Sequence, residues 1–224
     1  MKIAALFSGG KDSVYAIYLA LQKKWEVTCL VTLEPRVDDS WMFHSVNIAL
    51  TEYGAKALGL PLYKKDTSGQ KETELDDLYA LLKSLPVDGV ISGAIASEYQ
   101  RVRIERICRE LNVQFFAPLW HQDQETLLRE MVAAGFSILI VGVFADGFDQ
   151  FWLGQQLTEH NIDQFITVCK KYKISLAGEG GEYETLVVDA PIFSQRIVID
   201  EAAVDWKRDH GMYRITRVHL EPKK

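Results

Sequence analysis

The segment Ser8-Gly9-Gly10-Lys11-Asp12-Ser13 holds the densest grouping of anion-binding residue types in this chain. Two adjacent glycines let backbone N–H groups face a ligand where a Cβ would clash. Lys11 adds a mobile cation, and Ser8 and Ser13 add hydroxyls. The apolar run Ile3–Phe7 precedes the segment and an amphipathic run follows it, so the order is strand, glycine loop, helix. A helix start contributes unpaired N–H donors and the positive end of its dipole. The product is a cradle for phosphate. Asp12 is positioned to hold a metal ion through bound phosphate oxygens. The Walker spacing is absent. A plain strand-to-helix turn with Asp12 or Ser13 as N-cap is the alternative, but such a turn needs one capping residue only.

A second grouping, Gly93 to Arg103, follows the apolar stretch Gly89–Ser92. Ser97 and Gln100 form a capping box that fixes a helix start there. Arg101 and Arg103 then fall within the first two helical turns, where cations are mildly unfavourable. That local conflict marks a candidate phosphate contact, with solvated arginines paired to Glu98 and Glu105 as the plain alternative. We place Gly93 with the nucleotide and Tyr99 with the substrate.

The third grouping is Gly178-Glu179-Gly180-Gly181-Glu182-Tyr183-Glu184-Thr185. Its three carboxylates repel unless they face a cation or metal. Carboxylates beside an aromatic ring also suit a quaternary ammonium. An exposed, idle acidic loop explains the pattern equally well. Asp146, Asp149 and Trp152 read as a connecting loop, His44 and His121 as structural histidines, and Lys64 and Lys65 as solvated strand ends.

These groupings need a scaffold that brings distant loops to one edge. Val27–Leu33, Leu62–Tyr63, Gly89–Ser92, Gln114–Phe116 and Ile138–Phe144 read as strands, several of them continuous apolar runs of the kind found in parallel sheets. Between them Val14, Ile17, Tyr18 and Leu21 recur at helical spacing, as do Val46, Leu50, Tyr53 and Ala57. Ile104, Cys108 and Leu111 repeat the pattern, and so do Leu127, Leu128, Met131 and Val132, with Asp123 as N-cap and Gly135 just past the end. The fold class is α/β, a doubly wound, Rossmann-like parallel sheet. Beyond it Ile162–Tyr172 reads as a helix, and Leu186–Val188, Ile192–Ile199 and Tyr213–Leu220 as antiparallel strands. This divides the chain into residues 1–134, a nucleotide-binding domain, and 135–224, a smaller α+β substrate-binding lobe packed continuously against it.

At 224 residues and a net charge of −6, the chain suits one soluble body and lacks the basic patches of nucleic-acid binders. Cys29, Cys108 and Cys169 form no Cys-x-x-Cys pair. The N-terminus carries no signal-peptide pattern and no apolar run is long enough to span a membrane, so the expected setting is cytoplasmic.

Ser8–Ser13 resembles the pyrophosphate (PP) loop of the N-type ATP pyrophosphatases, with an adenine nucleotide alpha hydrolase-like fold. Together with Gly93–Arg103, Pro118-Leu119-Trp120, Asp123–Met131, Gly178–Thr185 and Asp189-Ala190-Pro191, it resembles the diphthine–ammonia ligase family, also called diphthamide synthase. The tract Gly178–Thr185 is the most specific of these. The resemblance implies ATP and Mg2+ as cofactors. It implies adenylation of the carboxylate of diphthine on translation elongation factor 2, release of pyrophosphate, and displacement of AMP by ammonia. The fold fills the chain and leaves little room for a glutaminase domain, which favours free ammonia. Lys11, Asp12, Arg101 and Arg103 are then the catalytic candidates. Ser8–Ser13 and Gly93 bind nucleotide, and Tyr99 with Glu179, Gly180, Gly181, Glu182, Tyr183, Glu184 and Thr185 meets the substrate. Two other readings compete: adenylation of another carboxylate or of an RNA base, and a nucleotide sensor without catalysis. The oligomeric state stays open, a homo-oligomer included.

Overall fold

The computed structural model describes residues 1–35, 47–68 and 71–223. Val46 and His44 lie outside these residues.

The first half alternates strands and helices. β1 (Lys2–Leu6), α1 (Lys11–Gln22), β2 (Glu26–Pro35), α2 (Thr51–Leu58) and β3 (Leu62–Thr67) are followed by α3 (Lys71–Lys83), β4 (Gly89–Ile91), α4 (Glu98–Glu110) and β5 (Gln114–Phe116). The five strands form one parallel sheet in the order β3-β2-β1-β4-β5. Ala5 pairs with Leu30 on one side and Ile91 on the other. Side chains alternate between faces along each strand. Ile3, Ala5 and Leu30 pack towards α1 and α2, whereas Ala4, Val31 and Val90 pack towards α3 and α4. Helices therefore cover both faces, and the strand order reverses between β1 and β4. In sheets of this kind ligands bind at that reversal, beyond the C-terminal ends of the strands.

Helix ends follow local chemistry. The Ser97 hydroxyl accepts the Gln100 N–H at 3.4 Å and starts α4. The Asp123 carboxylate accepts the Thr126 N–H at 2.8 Å and starts α5 (Gln124–Ala133), and Gly135, at φ 87°, follows its end. Helix α3 is an addition to the elements expected from sequence, although Leu75, Leu78, Tyr79 and Leu82 sit at helical spacing within it.

The second half is antiparallel. β6 (Ser137–Val143) is its central strand and pairs with β7 (Gln156–Leu157), with β8 (Tyr183–Asp189) and with β10 (His210–Pro222). β10 forms a long hairpin with β9 (Gln195–Lys207), and α6 (Ile162–Tyr172) packs on the sheet. The apolar run Ile138–Phe144 thus belongs to the antiparallel sheet. Its continuous hydrophobicity reflects burial on both faces, not parallel pairing. β9 begins at Gln195, three residues after the predicted Ile192, and the hairpin runs past the predicted apolar stretches to Lys207 and back to His210, with polar pairs such as Asp205–Arg214 and Glu201–Arg217 across it. One hydrophobic core runs from Ile3, Val14 and Ile17 through Leu128 and Met131 into Ile138, Ile140 and Phe165, so the two halves share an interior. Among the described residues no helix is long and apolar enough to cross a membrane.

Candidate active site

Two loops leave the sheet at the β1/β4 reversal: Phe7–Gly10, which leads into α1, and Ser92–Ser97, which leads into α4. They touch closely. A Cβ on Gly93 would lie 2.6 Å from the Asp12 carbonyl carbon and 2.8 Å from the Ser13 nitrogen, so only glycine lets the second loop abut the first turn of α1. A cavity of ≈ 170 Å³ opens beside them. Ser8, Gly10, Lys11, Asp12, Ser13 and Gly93 line it from the first half of the chain, and Gly178, Glu179, Tyr183, Glu184 and Thr185 from the second.

The glycine loop is ordered by its own hydroxyls. Ser8 Oγ accepts the Gly10 N–H at 3.3 Å, and Ser13 Oγ donates to the Gly10 carbonyl at 3.0 Å. Helix α1 has no side-chain cap from its own N-cap residue, Gly10. Its first amide, on Lys11, donates instead to Thr185 Oγ1 at 3.1 Å, from 174 residues away. The Val187 N–H donates to the Gly9 carbonyl at 2.9 Å. Gly9 holds φ 78°, a left-handed conformation that suits glycine.

Lys11 is buried at 3% exposure. Its Nζ donates to Asp12 Oδ2 at 2.9 Å and to the Ala177 carbonyl at 2.6 Å, and lies 5.0 Å from the centre of the Tyr183 ring. Burial disfavours the ammonium, but Asp12 and Tyr183 outweigh it and hold the Lys11 pKa above its ordinary value. Burial pushes the Asp12 carboxyl up, Lys11 pulls it back, and Glu179 adds a smaller upward push. Asp12 Oδ1 is buried with no hydrogen-bond partner among the described residues.

The acidic tract departs from the sequence expectation in three side chains. The Tyr183 ring is no open face for a quaternary ammonium: it is 3% exposed, packs against Phe148 and Phe165, and already has the Lys11 ammonium over it. Its hydroxyl donates to the Leu176 carbonyl at 2.5 Å. Glu182 folds onto its own loop and accepts the Gly180 and Ser175 N–H groups at 2.9 and 3.3 Å. Glu179 reaches across to the first half, where its two oxygens accept the Ile95 and Ala96 N–H groups, each at 2.7 Å. Backbone donors thus absorb carboxylate charge that the sequence left for a cationic ligand. Glu184 does line the cavity. Gly180 and Gly181 shape the turn before β8, with Gly181 at φ 80°.

The arginines are a further correction. Arg101 is held by Glu98 at 2.8 Å and Glu105 at 2.7 Å, and its guanidinium lies 5.0 Å from the Trp120 ring, away from the glycine loop. Arg103 donates to the Tyr99 carbonyl at 3.2 Å and stacks 3.5 Å from the centre of that residue's ring. Neither arginine lines the cavity, nor does Tyr99; Gln100 and Ile104 do. Four residues apart, these two share one face of α4, which was the available signal for which side faces inward. Arg101→Ala and Arg103→Ala are each expected to change turnover by less than about fivefold, because an exposed ion pair or ring contact is worth about 1 kcal/mol. A hundredfold loss in steady-state kinetics would return that guanidinium to the reacting phosphates.

The remaining candidates have structural partners. Lys64 pairs with Glu34 and Glu52, Lys65 pairs with Asp77, and Asp149 accepts the Phe151 N–H at 3.0 Å. The His121 ring stacks on Trp120 at 4.5 Å.

A glycine loop at the reversal point of a doubly wound sheet, with a lysine in the first turn of the next helix, defines a nucleotide-binding α/β fold, and its loop resembles that of the ATP pyrophosphatases. Residues 1–115 match the family model described as diphthamide synthase N-terminal domain, and residues 123–220 match that of the diphthamide synthase C-terminal domain. The diphthine–ammonia ligase of Mus musculus is 37% identical over 251 residues, covering 100% of this chain and 94% of that protein. The Homo sapiens protein of the same name is 36% identical with the same coverage. The Schizosaccharomyces pombe one is 37% identical over 91% of this chain but only 37% of its own length. A solved structure described as a predicted subunit of tRNA methyltransferase, from Methanocaldococcus jannaschii, aligns with a TM-score of 0.48 at 19% identity, over 85% of this chain and 98% of that one. The chain belongs to the diphthine–ammonia ligase family and is an ATP-dependent ligase of diphthamide synthesis.

Proposed function

We propose that this chain converts diphthine on translation elongation factor 2 to diphthamide through an acyl-adenylate. The observation that supports this reading is that residues of the glycine loop and of the Gly178–Thr185 tract line one cavity. Nucleotide and acyl group then meet where both loops reach. The diphthine carboxylate attacks the α-phosphorus of ATP and pyrophosphate leaves. Ammonia attacks the acyl carbon, AMP departs, and the surplus proton of the nitrogen passes to water.

The Gly9 and Gly10 backbone, Ser8, Ser13 and Gly93 hold the phosphates in this reading. Lys11 supplies fixed positive charge where the departing pyrophosphate gains negative charge. Glu184 is the tract carboxylate that faces the trimethylammonium of the substrate.

Charge balance supports a divalent cation. Among the described residues that line the cavity, Lys11 is the one cation, against Asp12, Glu179 and Glu184. A polyphosphate cannot enter such a site without its own counterion. Asp12 Oδ1, buried and without a donor among the described residues, suits Mg2+, which binds through one or two carboxylates plus substrate phosphates. When bound, the ion would neutralise phosphate charge. No group of three metal-binding side chains stands among the described residues, which fits an ion that arrives with the nucleotide.

The test incubates the purified chain with ATP, Mg2+, ammonium and diphthine-bearing elongation factor 2. Pyrophosphate release that depends on the factor, with an acid-to-amide mass change on the factor, is the expected result. Pyrophosphate released equally without the factor, and no amide formed, would overturn the reading.

A further inference from the structure

Glu179 is an anion that already has two partners. Its carboxylate takes the consecutive amides of Ile95 and Ala96 at 2.7 Å, across 84 and 83 residues. Such bonds, with one member ionised, are roughly twice as strong as neutral ones. The amides lie in the Ser92–Ser97 loop, the wall of the cavity that Gly93 presses against the first turn of α1. At its other end the same tract is tied to the glycine loop and the start of α1. Thr185 Oγ1 takes the Lys11 amide, and the Val187 N–H donates to the Gly9 carbonyl. The tract is therefore fastened to both loops of the nucleotide cavity. The Glu179 fastening rests on one side chain, whereas the Val187 one is main chain to main chain.

We propose that Glu179 is a positioning residue: it closes the Gly178–Thr185 tract over the bound nucleotide and keeps water from the activated acyl group. The coupling part of this proposal rests on the function proposed above. With the tract open, water in place of ammonia attacks the acyl carbon, the bond to the AMP oxygen breaks, and carboxylate, AMP and two protons result. ATP is then spent without amide. The nucleotide also loses the cover that slows its departure.

Two measurements on the full-length protein test this, with E179Q and E179A compared against wild type. The glutamine side chain keeps the shape but offers one acceptor oxygen for two amides, and the alanine side chain offers none. ATP consumed per amide formed is expected to rise at least about twofold in E179Q and further in E179A. The dissociation rate of a fluorescent ATP analogue with Mg2+ is expected to rise about tenfold in E179A, with E179Q between. A merely structural role would lower the melting temperature and the active fraction while leaving both readouts unchanged. If E179A does not fold, E179Q carries both measurements. An unchanged dissociation rate in folded variants overturns the latch whatever the acyl substrate. Absence of amide from wild type overturns the function reading and leaves the dissociation measurement to decide Glu179.

Discussion

Lys11→Met is expected to lower turnover by about 100- to 1,000-fold, the range for removing one preorganised donor from developing negative charge. It is also expected to destabilise the fold. The ammonium is buried and holds Asp12, the Ala177 carbonyl and the Tyr183 ring around it. Methionine fills much of the space but leaves the Asp12 carboxylate without its cation. Breaking a buried pair in this way costs about 3 kcal/mol here, the low end of the range, because 23% of the Asp12 side chain remains exposed. For a chain of this length that lowers the melting temperature by about 6–12 °C. The double variant K11M/D12N separates the two effects. Removing the stranded charge is expected to restore most of the melting temperature and none of the turnover. Turnover of the single variant within tenfold of wild type would take Lys11 out of the chemistry.

Gly93→Ala carries the second large effect. The added methyl meets backbone atoms of Asp12 and Ser13 at 2.6–2.8 Å, and backbone cannot step aside as a flexible side chain can. The Ser92–Ser97 loop must retreat from α1, and the Ile95 and Ala96 amides retreat from Glu179 with it. Overpacking of this kind costs about 1–3 kcal/mol. A displacement of about 1 Å between groups that must meet a common substrate costs roughly 100-fold in rate. Gly135→Ala is the control. It forces a left-handed φ of 87° on alanine, but nothing lies within 4 Å of the new methyl. Gly135→Ala is expected to lose about 1 kcal/mol of stability at unchanged turnover. Equal kinetics for the two variants, with matched melting curves, would show that loop contact at Gly93 is immaterial.

The frame of the molecule was legible because apolar periodicity speaks directly about burial. The β–α alternation, the helix Ile162–Tyr172 and the ends of α5 at Asp123 and Gly135 followed from spacing and capping chemistry alone. That the glycine loop sits at the sheet edge followed from the rule for doubly wound sheets, and that the Gly178–Thr185 tract lines the same cavity was expected from charge balance and the family resemblance. The orientation of individual side chains did not follow. Arg101 and Arg103 are on α4 as expected, but the helix turns Gln100 and Ile104 inward. The tract looked like a free acidic surface because the groups that answer it are backbone N–H donors. Every non-proline residue carries one, so Ile95 and Ala96 give no sign in the sequence that they hold Glu179. Tyr183 read as a ligand platform because nothing local shows that Phe148, Phe165 and Lys11 enclose it.

The bond from the Lys11 amide to Thr185 has a consequence for the order of events on the ribosome. The amide that opens α1 donates to a residue 174 positions later. At about 5–20 residues per second, roughly 9–35 s pass between the synthesis of the two. During that interval the nascent chain displays a glycine loop without its far partner, and the main-chain tie from Val187 to Gly9 arrives later still. The emerging polypeptide therefore has no complete nucleotide site until the stretch through Val187 has been made. Translation itself separates the appearance of the phosphate-binding motif from the appearance of a working pocket.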